Sequence, residues 1–172
     1  MKTLAMMKLK SGLLAVVLVA ALFTFAACDN GNDDYLPPNQ EIIDALNKLY
    51  PTVQNIEWSQ KGAYYVADCW VDGNELDVWF DANANWVMTE DEIRIEQVPA
   101  AVYTAFQESS YGSWVIDDLT LITYPTQPAE FIFEVQNGDQ EKALYFSEYG
   151  SLIREIDITD ADFTHWPNVP VP

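Results

Sequence analysis

At 172 residues the chain is of ordinary single-domain size, and 27 Asp and Glu against 8 Lys and Arg give it a formal charge of −19. That balance excludes nucleic-acid binding, which needs many cationic side chains to displace counterions from phosphate. It leaves a basic partner, a cation or plain solubility as the meaning of the charge.

Residues 1–27 read as a targeting segment. Lys2, Lys8 and Lys10 form a positive start, and the uncharged stretch Gly12 to Ala27 is too short and too rich in small residues at its end to span a bilayer. Phe25-Ala26-Ala27-Cys28 resembles the bacterial lipobox, although Phe25 departs from the usual Leu or Val. The resemblance implies that Cys28 is lipidated and that the protein is anchored to the cell envelope without spanning a membrane, with the outer membrane the expected location. The alternative is a secretory signal with an incidental cysteine. Residues 28–38, with Asp29-Asn30-Gly31-Asn32-Asp33-Asp34, are read as an acidic tether that cannot bury enough apolar surface to order itself. An acidic stretch at this place also resembles the surface-export signals of Bacteroidetes lipoproteins. Cleavage after residue 27 leaves about 145 residues with five basic and 27 acidic side chains, a charge of −22.

Two helices and eight strands follow. Ile42, Ile43, Ala45, Leu46 and Leu49 recur at helical spacing, with Asn39 as N-cap and Pro51 as stop, predicting a helix over 39–50. Strand patterns follow near 53–60, 63–71, 74–82 and 85–93. Val98, Ala101, Val102, Ala105 and Phe106 mark a second helix over 97–110, with Pro99 near its start. Four more strands are expected near 114–124, 129–137, 140–148 and 151–158. Asp77-Val78-Trp79-Phe80-Asp81 aligns with Ala143-Leu144-Tyr145-Phe146-Ser147, so the chain reads as a duplication. The expected fold is α+β: two tandem repeats, 39–95 and 96–158, each one helix plus a four-stranded antiparallel meander, with the helices on one sheet face and residues 159–172 as a loose tail. The two meanders could join edge to edge, because a lone unit leaves its edges open. Tyr65, Ala67, Cys69, Leu76, Val78 and Phe80 are assigned to the helix-covered face, which makes Cys69 a small core hydrophobe.

Leu49-Tyr50-Pro51, Ile56-Glu57-Trp58, Tyr64-Tyr65-Val66, Asp77-Val78-Trp79-Phe80-Asp81 and Asn85-Trp86 together resemble the PepSY-like, β-lactamase-inhibitor-like family of Bacteroidetes lipoproteins. Thr52 and Asn85 stand where that family's pattern has glycine, and the second half matches more weakly, through Tyr111-Gly112 and Leu144-Tyr145-Phe146-Ser147. The resemblance covers 39–158. It implies a fold and an envelope compartment far more than an activity.

No constellation supports catalysis. Asp81, Asn83, Asn85, Thr89 and Glu92 fall at positions 1, 3, 5, 9 and 12 of an EF-hand loop, but Trp86 replaces the turn glycine and strands flank the segment. A hairpin turn is expected there, with weak Ca²⁺ association through Asp81, Asn83, Asn85 and Glu92 as the alternative. His165 lies in a Pro-rich tail, and pairing it with Cys69 would require a core cysteine to be an exposed thiolate. Phosphate loops and dinucleotide fingerprints are missing, and no cofactor is expected.

The helix-free face remains. The pleat puts Tyr64, Trp70, Trp79 and Tyr145 on it, beside Asp68, Glu75 and Asp77. Rigid rings among carboxylates suit a binding surface, so a non-enzymatic module for a protein or peptide partner is the expected function, with Tyr64, Asp68, Trp70, Asp77, Trp79 and Tyr145 as its site. By resemblance such a module could inhibit a secreted enzyme. Competing readings are cross-strand aromatic pairs that merely stabilise the sheet, a dimer or the tail covering the face, a small ligand or cation in place of a protein, and a spacer with no ligand.

Overall fold

The computed structural model describes residues 37–160 and 163–167; the signal segment, Cys28 and nearly all of the tether lie outside them. Asn39 caps the first helix, its side chain accepting the Ile42 backbone N–H at 3.0 Å. Helix α1 (Gln40–Leu49) leads into strands β1 (Gln54–Lys61), β2 (Tyr64–Val71), β3 (Asn74–Phe80) and β4 (Trp86–Glu92). A single 3₁₀ turn, Ile95–Gln97, then precedes α2 (Ala100–Glu108), whose N-cap is Pro99. Strands β5 (Val115–Thr123), β6 (Glu130–Asn137), β7 (Gln140–Ser147) and β8 (Leu152–Asp157) complete the fold.

The architecture corrects the expectation of two tandem helix-plus-meander units. The strands form one eight-stranded antiparallel sheet in the order β1 to β8, and β4 pairs with β5 through Thr89 opposite Thr123 and Glu92 opposite Thr120. The protein is thus mostly β, with two short helices set on a continuous sheet. The physical reason is the strand edge. Had β4 and β5 stayed apart, each would have presented a row of unpaired N–H and C=O groups, and pairing them satisfies both rows at once.

Alternation along the strands builds two apolar layers. On the helix side, Ile42 and Leu46 of α1 pack over Ala67, Cys69, Val78 and Phe80, all essentially without solvent contact. Val102 and Phe106 of α2 cover Phe133, Val135, Leu144 and Phe146. Phe106 stacks on Phe133 at 4.7 Å, and Phe133 meets Phe146 edge-on at 5.4 Å. Each buried ring of this kind contributes about 2–3 kcal/mol by leaving water. The opposite side has its own layer of Val66, Trp79, Met88, Ile122, Ile132 and Tyr145.

Bulges bend the sheet where Val87 and Ile153 are inserted opposite the Trp79–Phe80 and Tyr145–Phe146 steps. The β7–β8 turn shows why its glycine is needed. Gly150 has φ +84°, and a Cβ there would lie 2.6 Å from the Ala101 carbonyl oxygen at the start of α2. Gly150→Ala is therefore expected to cost about 1–3 kcal/mol of stability, read as a lower midpoint in thermal unfolding. An unchanged midpoint would mean that α2 can move away from the turn freely.

Candidate functional site

Strand register assembles a site that no run of sequence displays. On the helix-free face Asp68 of β2 lies opposite Asp77 of β3, and Asp77 lies opposite Glu90 of β4. Like charges placed directly across strands repel, so this row opposes folding. Next along, Trp70 faces Glu75. Together with Glu92 and Thr120 these carboxylates line an open cleft of about 260 Å³. One cation reaches the row: Lys61 Nζ lies 3.4 Å from Asp77 Oδ2 and 5.0 Å from the centre of the Trp79 ring.

Burial governs the protonation of these acids. Desolvation pushes Glu90 up to about 7, with Asp77 adding to the rise and nearby His165 and Lys61 opposing it. Asp77 is also raised, chiefly by burial, with Lys61 pulling the other way. Among the described residues no well-formed hydrogen bond reaches buried Glu90 Oε1 or Trp79 Nε1, although the indole N–H stands close enough to Glu90 to favour its carboxylate and so also opposes the rise.

The six residues expected to form a binding face do share it, but differently from an open platform. Trp70 is 42% exposed and Asp68 is exposed, whereas Trp79 and Tyr145 have 0% and 1% of their surface in contact with solvent. Tyr64 is half-buried and touches Trp79 edge-on at 6.0 Å. Part of the cover comes from the C-terminal segment. Trp166 packs edge-on against Trp79 at 6.0 Å, and His165 Nδ1 shares a 2.7 Å hydrogen bond with the Tyr145 hydroxyl. His165 Nε2 lies 3.5 Å from Glu134 Oε1, and Phe163 stands edge-on to the imidazole at 4.9 Å. The expected loose tail is, over 163–167, a strap laid across the sheet. Beneath it, Arg154 lies 3.7 Å over the Tyr145 ring and pairs with Glu130 at 3.3 Å. Burial pushes the Tyr145 phenol up to about 12, Arg154 opposing.

The EF-hand spacing dissolves in three dimensions. Asp81 Oδ1 accepts the Asn83 and Asn85 backbone N–H groups at 2.9 Å, and Oδ2 accepts the Asn85 side-chain amide. Burial is the largest single effect and pushes the Asp81 carboxyl up, but the hydrogen bonds from Asn85 and Asn83 together hold it below its usual range. Ser147 does the same in the β7–β8 turn, accepting the Ser151 N–H at 3.1 Å. Glu92 stands at the far end of β4, six residues from Trp86 and so about 20 Å along an extended strand. Among the described residues no group of three or more His, Cys, Asp and Glu could hold a metal ion. Cys69 lies in the helix-side layer and His165 on the other face, so they cannot pair. Burial, with Asp68 and Asp77 adding, raises the Cys69 thiol to about 11.

Residues 63–154 match the family described as "Putative beta-lactamase-inhibitor-like, PepSY-like". The chain belongs to that family. A BLIP-like protein from Bacteroides fragilis is 56% identical, with 79% of this chain and 97% of that one covered at a TM-score of 0.74. A DUF2874 family protein from Bacteroides uniformis is 32% identical over 73% of this chain and 92% of its own, at a TM-score of 0.69. A chain described as "putative periplasmic proteins" from Bacteroides eggerthii is 34% identical over 74% and 93%, at a TM-score of 0.70. No curated protein matches. In this PepSY-like chain, among the described residues, no helix is long and apolar enough to cross a membrane.

Sequence reading does not single out Glu90, and it places Glu92 only in the alternative Ca²⁺ set of the 81–92 stretch, not in the acidic row. Simple pairing outward from the β3–β4 turn would put Thr89 opposite Asp77; the bulge at Val87 shifts the register by one and brings Glu90 there instead.

Proposed function

We propose that this PepSY-like protein is a non-catalytic module of the cell envelope, tethered by a lipid on Cys28, that binds a protein or peptide partner bearing basic residues. The observation that carries the reading is the carboxylate row Asp68, Asp77 and Glu90, held across three neighbouring strands beside the exposed Trp70. Folding alone gives no reason to place like charges opposite one another, while a cationic partner would turn that repulsion into attraction. A large exposed indole at the rim supplies the apolar anchor that such interfaces use. The family description and the BLIP-like relative support an inhibitor-type partner, an enzyme of the periplasm or cell surface, and the periplasmic description of a relative supports the compartment.

The test is affinity capture from the native envelope with wild type, Trp70→Ala and Asp68→Asn. Trp79 is unsuited as a probe because it is wholly buried. A partner held by wild type and lost at least tenfold by both variants, with binding weakened by salt, supports the reading. A partner retained equally by all three places its contact elsewhere. Calorimetric heat with Ca²⁺ alone that Asp68→Asn abolishes would replace the protein partner with a small cation.

A further inference from the structure

We propose that residues 163–167 are a built-in occupant of the binding face, and that a partner segment presenting an aromatic ring beside an Arg or Lys displaces them. The inference rests on the binding reading above and specifies how the face is reached. The strap is itself a model of such a segment: its ring, Trp166, sits on Trp79, and its polar neighbour, His165, reaches Tyr145 and Glu134. Its seating is close, since a Cβ on Gly62 would come within 3.2 Å of the Trp166 ring. Yet Trp166 keeps 43% of its surface exposed, so only part of the ring holds the strap.

The strap also matches the face incompletely. It offers no well-formed hydrogen bond to buried Glu90 Oε1 or Trp79 Nε1, whose nearest polar neighbours are each other. His165 is the strap's sole titratable side chain within 163–167, facing Glu134 with Glu90 nearby. An Arg or Lys in its place would bring a permanent charge and more N–H donors to these carboxylates. A foreign segment with that side chain therefore has more to gain on this face than the strap does, and displacement needs no rearrangement of the sheet.

The probe is the peptide acetyl-Phe-Thr-Arg-Trp-Pro-amide, which keeps the strap's order with Arg in the His position. It is titrated into wild type and into the full chain carrying His165→Ala and Trp166→Ala, both labelled with 5-fluorotryptophan. The strap-weakened variant is expected to bind at least tenfold more tightly than wild type. In wild type, the Trp166 fluorine signal should move to a solvent-exposed shift as peptide saturates. Equal affinity for both chains overturns the proposal, as does absence of binding to a variant that remains folded. If the double variant does not fold, Trp166→Ala alone serves the same comparison. Should the peptide fail while Trp70→Ala and Asp68→Asn still strip the envelope partner, the strap inference falls and the binding reading stands; failure of both experiments removes both.

Discussion

Trp79→Ala is expected to lower the unfolding free energy by about 3–5 kcal/mol, while Trp70→Ala on the neighbouring strand changes it by less than about 1 kcal/mol. The two tryptophans sit on the same face of adjacent strands, and sequence treats them as equivalent. Structure separates them. Trp79 has no exposed surface and packs among Val66, Met88, Ile132 and Tyr145, with Tyr64 and Trp166 edge-on to it. Trp70 lies at the end of β2 with 42% of its surface in solvent. Trp79→Phe should recover much of the loss, because it keeps most of the apolar volume and removes an indole N–H that makes no well-formed hydrogen bond. Urea unfolding at constant m-value measures all three variants. Equal midpoints for the two alanine variants would show that the strap and its neighbours do not exclude water from Trp79.

The contrast shows where sequence reading reaches its limit in this chain. Alternation reports which face a side chain takes, and it assigned Cys69, Val78 and Phe80 to the helix side, where they are buried. It cannot report what covers a face, because that depends on segments distant in sequence. Strap residues Phe163 to Pro167 have no periodicity and are bracketed by prolines and polar residues, so they read as a tail. Their contacts with Trp79 and Tyr145 close over gaps of 20 residues or more, beyond any local pattern. The joining of β4 to β5 was likewise open at the sequence level. Each half is self-consistent alone, and only the shared cost of two unpaired edges decides for one sheet. Site carboxylates fall between these cases. Asp68 and Asp77 were legible by the pleat, while Glu90 required the exact register of a hairpin whose bulge at Val87 shifts the count by one.

Glu90→Gln is expected to stabilise the protein at alkaline pH and to leave it nearly unchanged in acid. Burial raises the Glu90 carboxyl from its ordinary 4.5 to about 7, so the native state keeps this proton over a range in which the unfolded chain has lost it. Where the native state binds more protons, stability falls as pH rises. The stability linked to this proton is thus complete below about pH 4.5, declines between there and about 7, and is gone above. A shift of this size corresponds to a penalty on the order of 3 kcal/mol at pH 8. Glutamine keeps the shape, carries no charge and keeps an oxygen acceptor beside the Trp79 indole N–H. Asp77 and Asp91 are also raised chiefly by burial and respond to pH in the same sense in both proteins, so the difference between wild type and variant reports Glu90 together with its coupling to Asp77. Thermal unfolding from pH 4 to pH 9 provides the measurement; parallel curves would mean that Glu90 ionises as freely in the fold as out of it. A diverging pair would show that the chain retains a destabilising charge at neutral pH in the middle of its acidic row. His165 of the strap and Lys61 already favour that charge without offsetting its burial, and a cation delivered by a partner would relieve it further.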